Sequence, residues 1–462
     1  MAEPSGQVVL CPRCARLERR NAELEARVKR LEGELQEASR AAKRQAGPFS
    51  RNQPKDRPRK PGRPQGHAPA HRPAPPPESI TETLDTPLPD CCPDCGGPLE
   101  APQSHEQTVT DLPKIEPVVT KYISHSGYCS HCRKRVRSKH PDQPSTAGGA
   151  ASHQIGPNAL ALSADLKHRL GLSYQKTVEL FDSHFGLTTC AGALARAGRR
   201  IAILAERTYE SLITILRFSP VVWGDETGWR IGGRSAWLWV FANRIATVYT
   251  IRGGRGHDVI EDILGSDFRG VLSSDCCKSY DPIAAGDKQK CLGHIIKDLS
   301  VLESLKTRGA IRFPRAALAV LRDAIALKRR GESMSPHGFA VARGKIELRM
   351  DRLLDGVYAD PDNHRLANRL RTHRGHLFTF LYVNEVEPTN NLAERAIRPA
   401  VIARKLSAGN RSPTGAETHS ILASLAATAR QHGATLVEAV RDLLRQRDTN
   451  YVTPLLFNPV TP

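Results

Sequence analysis

Leucine recurs at every seventh position near the start of the chain, at Leu10, Leu17, Leu24 and Leu31. With these as d positions, Asn21 occupies an a position, where a single Asn fixes the register and dimeric state of a coiled coil. Glu and Arg fill the flanking positions. The pattern predicts a dimerising coiled coil within residues 1–40. The alternative is a solitary amphipathic surface helix, because three heptads are few.

Apolar positions with a period near 3.6 run from about residue 155 to 217 and predict helices. A helix over Ser173–His184, a tight turn at Phe185–Leu187 and a second helix opening at Thr188 would form a helix-turn-helix. We therefore predict a helical DNA-binding region at 150–217. Its second helix carries the predicted DNA contacts, which are Arg196, Arg199 and Arg200. The alternative is a helical hairpin that packs without reading bases.

Short apolar runs separated by turns follow and predict strands. The first run ends at Asp225, the Gly232-Gly233 turn leads into the second (AWLWVF), and residues 246–251 form the third. A short helix over 257–264 precedes a fourth strand, which ends at Asp275. Three antiparallel strands, a helix and a fourth strand are the order at the start of a ribonuclease H-like domain.

The remaining sequence extends this predicted domain to residues 218–450. From about 283 to 383 the pattern is mostly helical, and we assign about 300–383 to a helical insertion. A further helix opens near Asn390, with Asn390 or Asn391 as its cap. The predicted fold class is multidomain α+β: a coiled coil, a zinc-ribbon-like module, a helical DNA-binding region and a ribonuclease H-like α/β catalytic domain.

Three acids at element boundaries carry the predicted chemistry. Asp225 and Asp275 end neighbouring strands of the expected sheet, and Glu394 lies in the first turn of a helix that could cross the same edge. Convergent carboxylates suit two Mg²⁺ (or Mn²⁺) ions, which prefer hard oxygen ligands and catalyse in-line phosphoryl transfer. Glu226 is the adjacent rival, but successive strand residues face opposite sides, and we choose Asp225 because it directly follows the apolar run.

Each acid also has an ordinary structural interpretation. Glu394 could pair with Arg398 one helical turn later, and an Asp that follows a strand more often forms a turn. The ordered set of three is what favours catalysis.

Two Cys-x-x-Cys pairs form the strongest local motif, with the ligands Cys92, Cys95, Cys129 and Cys132. Four thiolates make the closed tetrahedral site of a structural Zn²⁺, and we predict a zinc-ribbon-like domain at 81–145. We interpret Cys11 and Cys14 as free thiols, the alternative being metal bound across a dimer. Cys291 and His294 are one helical turn apart, but packing in a buried helix explains them better than a second metal site.

Composition supports a nucleic-acid partner. The formal net charge is +19, which suits a polyanion, and aromatic residues make up only 5% of the chain, which weakens any carbohydrate-binding interpretation. Residues 41–80 form a basic, Pro-rich linker that cannot bury enough apolar surface to fold. No long apolar run predicts a membrane span, and the start of the sequence lacks the shape of a signal peptide, so we expect a cytoplasmic protein.

Four segments resemble the insertion sequence 66 family of DDE transposases. They are GDETGWRIGGRSAWLWVF, SSDCCKSYD, CLGH and TNNLAERAIRPAVIARKLSAGNRSPTGAETHS, the last being the most specific. The resemblance implies a ribonuclease H-like core whose Asp-Asp-Glu triad maps to Asp225, Asp275 and Glu394, with a helical insertion between the second Asp and the Glu. The sequence departs from the family at Ser274–Tyr280, at Ile296-Lys297 and after Arg404-Lys405, which points to a divergent branch.

The sequence thus predicts a transposase that binds terminal inverted repeats as a homodimer or higher multimer, cleaves one strand at each end and directs the 3′-hydroxyl at target DNA. The resemblance also suggests accessory transposition proteins. Basic residues near the acids are predicted phosphate contacts rather than a solvated face, namely Arg395, Arg398, Arg404 and Lys405. The alternatives are a non-catalytic zinc-containing DNA-binding protein and a structure-selective nuclease.

Overall fold

A computed structural model describes residues 17, 20–28, 30–32, 73–145, 147, 149 and 153–457. The chain divides into two units, Met1–Pro113 and Lys114–Pro462. In the first unit, residues 20–28 are helical and Leu24 is half exposed. In a coiled coil, a leucine at a d position is exposed on the single helix and becomes covered by the partner helix. Dimerisation stays a prediction. Cys11, Cys14 and most of the predicted linker lie outside the described residues.

The second unit begins with a small antiparallel hairpin of β1 (Ser126–Cys129) and β2 (Lys134–Arg137). In the second Cys-x-x-Cys pair, Cys129 is the last residue of β1 and Cys132 lies in the turn. A long segment separates the two cysteine pairs. Only the last few residues of that segment belong to a strand.

Three helices follow: α1 (Pro157–His168), α2 (Tyr174–Phe185) and α3 (Ala191–Arg217). The predicted first helix of the helix-turn-helix is confirmed within a residue, and the Ser173 side chain caps it by accepting from the Lys176 N–H. The predicted opening of the second helix at Thr188 is wrong by three residues. Gly186 ends α2 in the left-handed conformation, and no helix begins before Ala191, so the connection is longer than a tight turn.

A five-stranded mixed sheet forms the centre of this unit. Its elements in chain order are β3 (Val221–Ile231), β4 (Arg234–Ala242), β5 (Thr247–Arg252), α4 (Asp258–Leu264), β6 (Phe268–Ser274) and β7 (Ala285–Lys290). The spatial order is β5-β4-β3-β6-β7. The first three strands are antiparallel neighbours, whereas β6 runs parallel to both β3 and β7. The predicted adjacency of the first and fourth strands is therefore confirmed.

The prediction that the first strand ends at Asp225 is wrong, because β3 continues to Ile231. Partner strand β4 stays in register with it as far as the pair Ile231↔Arg234. The far end of β3 is also tied down by Asn410, whose backbone N–H donates to the Arg230 carbonyl oxygen at 2.9 Å. Gly409 is required there, since a Cβ would lie 2.3 Å from that oxygen.

Strand β7 was not predicted, because its sequence AGDKQK has none of the apolar alternation of a half-buried strand. Its buried positions are instead occupied by polar side chains that form hydrogen bonds within the protein. Gln289 donates to the Leu377 carbonyl oxygen, and the Lys290 ammonium lies 2.9 Å from the Asp281 carboxylate.

The remaining helices are α5 (Leu292–Leu305), α6 (Arg312–Arg330), α7 (Pro336–Leu354), α8 (Pro361–Thr372), α9 (Asn391–Ser407), α10 (Pro413–Gln431) and α11 (Leu436–Gln446). Short 3₁₀ turns occupy Pro77–Ser79, Lys278–Tyr280, Arg308–Ile311, Gly331–Ser333, Arg374–His376, Thr379–Leu381 and Pro454–Leu456. In the part of the chain that the structure describes, no helix combines the length and apolarity needed to cross a bilayer.

The sheet separates two hydrophobic cores. One face packs Val221 and Trp223 against α5 to α9, and the other packs Val222 against α1, α3, α4, α10 and α11. This alternation along β3 determines which acids meet which helix, because neighbouring strand residues point to opposite faces.

Candidate active site

Asp225 and Asp275 are brought side by side by the parallel pairing of β3 and β6. The last matched pair of these strands is Trp223↔Ser273, so each acid lies two residues beyond the same rung. Asp225 shares the sheet face of Trp223, on which α9 packs. Its Oδ1 accepts the Glu226 backbone N–H at 2.8 Å, and Asp275 accepts that of Cys277 at 2.8 Å.

Glu394 reaches the same edge from the first turn of α9. Asn390 occupies the cap position as predicted, but its side chain does not cap the helix. Its Nδ2 instead donates to the Gly224 carbonyl oxygen at 2.7 Å in a buried contact. This bond attaches the start of α9 to the residue before Asp225, and the prediction of a conventional Asn cap is wrong for that reason.

Asp225 lies in a partly buried and acidic environment. Burial raises the pKa of this carboxyl from 3.8 to about 7, with further contributions from the negative charges of Glu226, Asp275 and Glu394. Burial and the neighbouring negative charges destabilise the anionic form of this carboxyl. Such a carboxyl is typical of a site that binds a cation. Carboxylate oxygens are also the donors that Mg²⁺ and Mn²⁺ prefer, so these residues fit a divalent-ion site.

Glu226 occupies the other face, as the alternation predicts, and has its own partners. Its side chain is 1% exposed, accepts from the Arg255 guanidinium at 3.0 Å and accepts from the Tyr280 hydroxyl at 2.8 Å. Its carboxylate nevertheless comes within 4.8 Å of potential ligand atoms of Asp275 and Cys277. Because Arg255 already balances its charge, Glu226 is the less suitable of the two adjacent acids for a cation.

A second group beside Glu394 was not assigned to the site from the sequence. Cys291, His294 and Glu394 place their ligand atoms within 4.8 Å of one another. Hydrogen bonding to Cys291, aided by the charge of Glu394, raises the pKa of His294 to about 9. The Cys-x-x-His spacing was the only available signal, and it does not reveal that the two side chains face a glutamate about 100 residues away in sequence.

Each cysteine pair forms its own turn. In the first unit, the Gly96 N–H donates to the Cys92 carbonyl oxygen at 2.8 Å, and Gly96 has a φ of 72° that an L side chain rarely adopts. Backbone N–H groups, led by that of Asp94, lower the pKa of the Cys92 thiol. In the second unit, the pKa of Cys129 is lowered in the same way, chiefly by Cys132. Thiolates stabilised by backbone donors fit zinc ligands.

The predicted DNA contacts differ in where they point. Arg196, Arg199 and Arg200 on α3 are exposed, and so are Arg395, Arg398 and Lys405 on α9. Arg404 faces inward, where it donates to the Thr227 hydroxyl at 2.9 Å and to the Gly228 carbonyl oxygen. The structure therefore shows Arg404 holding α9 to β3. A DNA contact at any of these residues stays a prediction.

Comparison with protein families identifies the class as a zinc-containing transposase. Residues 152–418 match the Transposase IS66 family, and residues 89–133, which include all four predicted zinc ligands, match the zinc-finger binding domain of transposase IS66. No curated protein matches the chain. Because the first match covers more than half of the sequence, the chain belongs to the IS66 transposase family, which confirms the resemblance.

Family membership implies an enzyme that binds, cleaves and transfers DNA, and the zinc-finger match supports a structural zinc ion.

Proposed function

We propose that this transposase catalyses divalent-metal-dependent strand cleavage and strand transfer at the ends of an insertion sequence, through Asp225, Asp275 and Glu394 in a ribonuclease H-like domain. The observation that carries the proposal is the position of Asp225 and Asp275, each two residues beyond the matched pair Trp223↔Ser273 of β3 and β6. The strand order, with the acid-bearing strands β3 and β6 parallel and adjacent, supports it.

The three carboxylates would hold Mg²⁺ or Mn²⁺. When bound, such ions lower the pKa of the attacking hydroxyl and stabilise the leaving oxygen of an in-line phosphoryl transfer. The protein itself supplies position. Parallel pairing aligns Asp225 with Asp275, and the bond from Asn390 to Gly224 places the first turn of α9 beside them.

The surrounding residues complete the proposed assignment. Exposed Arg395 and Arg398, which follow Glu394 on α9, would contact phosphates next to the scissile bond. Arg196, Arg199 and Arg200 would contact the terminal inverted repeat. The four cysteines Cys92, Cys95, Cys129 and Cys132 would share one structural zinc ion, as the family match to 89–133 suggests. We further propose a cytoplasmic homodimer or higher multimer, joined through residues 1–40 and assisted by accessory transposition proteins.

The test uses the full chain and a duplex oligonucleotide that carries the end of the encoding element. Asp225→Asn, Asp275→Asn and Glu394→Gln should each abolish Mg²⁺-dependent nicking while leaving the dissociation constant for the duplex within about twofold. Glu332→Gln removes an exposed acid of a 3₁₀ turn and is the matched control. Nicking by Asp225→Asn at the wild-type rate would refute the catalytic assignment of Asp225. Absence of Mg²⁺-dependent nicking by the wild type would favour the non-catalytic DNA-binding protein.

A structure-selective nuclease would share these acids. Footprinting distinguishes the two. A transposase should protect the ends of the element more strongly than flanking duplex of unrelated sequence, whereas such a nuclease should show no preference for the ends.

A further inference from the structure

We propose that Cys291 and His294 are positioning residues that fix the carboxylate of Glu394 relative to Asp275. The inference rests on the proposed function, since it concerns how the third acid of that site is held. Neither residue is expected to touch the DNA or a bound cation; they act through Glu394.

Cys291 is anchored to the strand end that carries Asp275. It lies between β7 and α5, is 1% exposed, and its backbone N–H donates to the Ser274 carbonyl oxygen at 2.8 Å. Ser274 is the last residue of β6 and immediately precedes Asp275. The position of Cys291 is thus determined by the same sheet that positions Asp275.

From this anchor, the thiol reaches the segment that leads into α9. Its Sγ accepts the backbone N–H of Asn390 at 3.2 Å, and the neighbouring Leu292 N–H donates to the Pro388 carbonyl oxygen at 2.9 Å. Two hydrogen bonds from adjacent residues therefore hold the entry to the helix of Glu394. Removing the sulfur acceptor would leave the buried Asn390 N–H without this hydrogen-bond partner.

The carboxylate itself is approached from the same side. Glu394 Oε1 lies 3.9 Å from Cys291 Sγ and 3.7 Å from His294 Nδ1, which is one helical turn further along α5. Both contacts fall on a single oxygen. A carboxylate held through one oxygen presents the other in a defined direction, and partners of this kind commonly change metal affinity or activity by about 10–100-fold when removed.

The experiment measures Mn²⁺-dependent nicking of the end duplex as a function of Mn²⁺ concentration. Cys291→Ala and His294→Ala should each raise the half-saturating Mn²⁺ concentration about tenfold. Cys291→Ser keeps an acceptor for the Asn390 N–H, and His294→Asn keeps an amide nitrogen near the place of Nδ1, so both should recover part of the loss. His337→Asn, at an exposed position on α7, is the control and should match the wild type.

Three results overturn the inference. The first is an unchanged half-saturating Mn²⁺ concentration in both alanine variants while Glu394→Gln remains inactive. The second is a lowered melting temperature without any metal shift, which would show a merely structural role. The third is a second zinc ion per chain that Cys291→Ala loses, which would make Cys291, His294 and Glu394 a zinc site. Wild-type nicking by Glu394→Gln would instead refute the proposed function.

Discussion

The raised pKa of Asp225 leads to a prediction about stability that needs no DNA substrate. A carboxyl whose folded pKa exceeds its unfolded pKa destabilises the folded protein wherever it must be ionised. The penalty is absent below pH 3.8, where both states are protonated, grows as the pH rises towards 7, and is complete above it. Asp225→Asn removes the ionisation and should therefore stabilise the protein at pH 8.

The magnitude follows from the pKa. A rise from 3.8 to about 7 corresponds to at most about 4 kcal/mol at pH 8. Asp225 is only partly buried, so water and counterions reduce the effect, and we expect about 1–2 kcal/mol. For a domain of this size, that gain raises the melting temperature by about 2–8 °C.

The assay is thermal unfolding of the full chain in magnesium-free buffer at a series of pH values. Magnesium is removed by dialysis and not with a chelator, because a chelator would also remove zinc. The difference between Asp225→Asn and the wild type should be largest at pH 8 and shrink as the pH falls from 7 towards 4. Millimolar Mg²⁺ at pH 8 should stabilise the wild type and have little effect on the variant. A destabilised Asp225→Asn at pH 8, or a difference independent of pH, would refute the reasoning.

The other predictions concern the surroundings of the site. Arg255→Met leaves Glu226 buried without its cation and should lower the free energy of unfolding by about 2–3 kcal/mol in denaturant titrations. Adding Glu226→Gln to Arg255→Met should recover part of that loss. If stability does not recover, the loss does not come from the unpaired charge of Glu226. Cys129→Ser should remove about one zinc ion per chain by elemental analysis, and unchanged zinc content would exclude this ligand. Arg199→Ala should lower the salt dependence of DNA affinity by about one phosphate contact. Arg404→Met should lower the free energy of unfolding, because α9 loses its hydrogen bonds to Thr227 and Gly228.

Local patterns along the sequence predicted much of the fold. The 3.6 period located α2 within a residue, and the Gly232-Gly233 turn located the β3–β4 hairpin, because burial of one face leaves a period that reflects the backbone geometry. The same logic failed for β7, whose buried Gln289 and Lys290 are satisfied by hydrogen bonds to distant loops. Polar burial of that kind has no periodic signature.

The candidate site likewise has features that the sequence indicated and features that only the tertiary structure decided. The sequence alone determined the family and located the cysteine pairs, and it supplied the prediction of Asp225, Asp275 and Glu394 as the acids, because these depend on residue type and spacing along the chain. Only the tertiary structure decided that Glu226 is balanced by Arg255, that Arg404 faces inward and that Cys291 lies between Ser274 and Asn390. Such partnerships join residues far apart in sequence, and they are selected by the packing of helices on a sheet, which one-dimensional spacing does not encode.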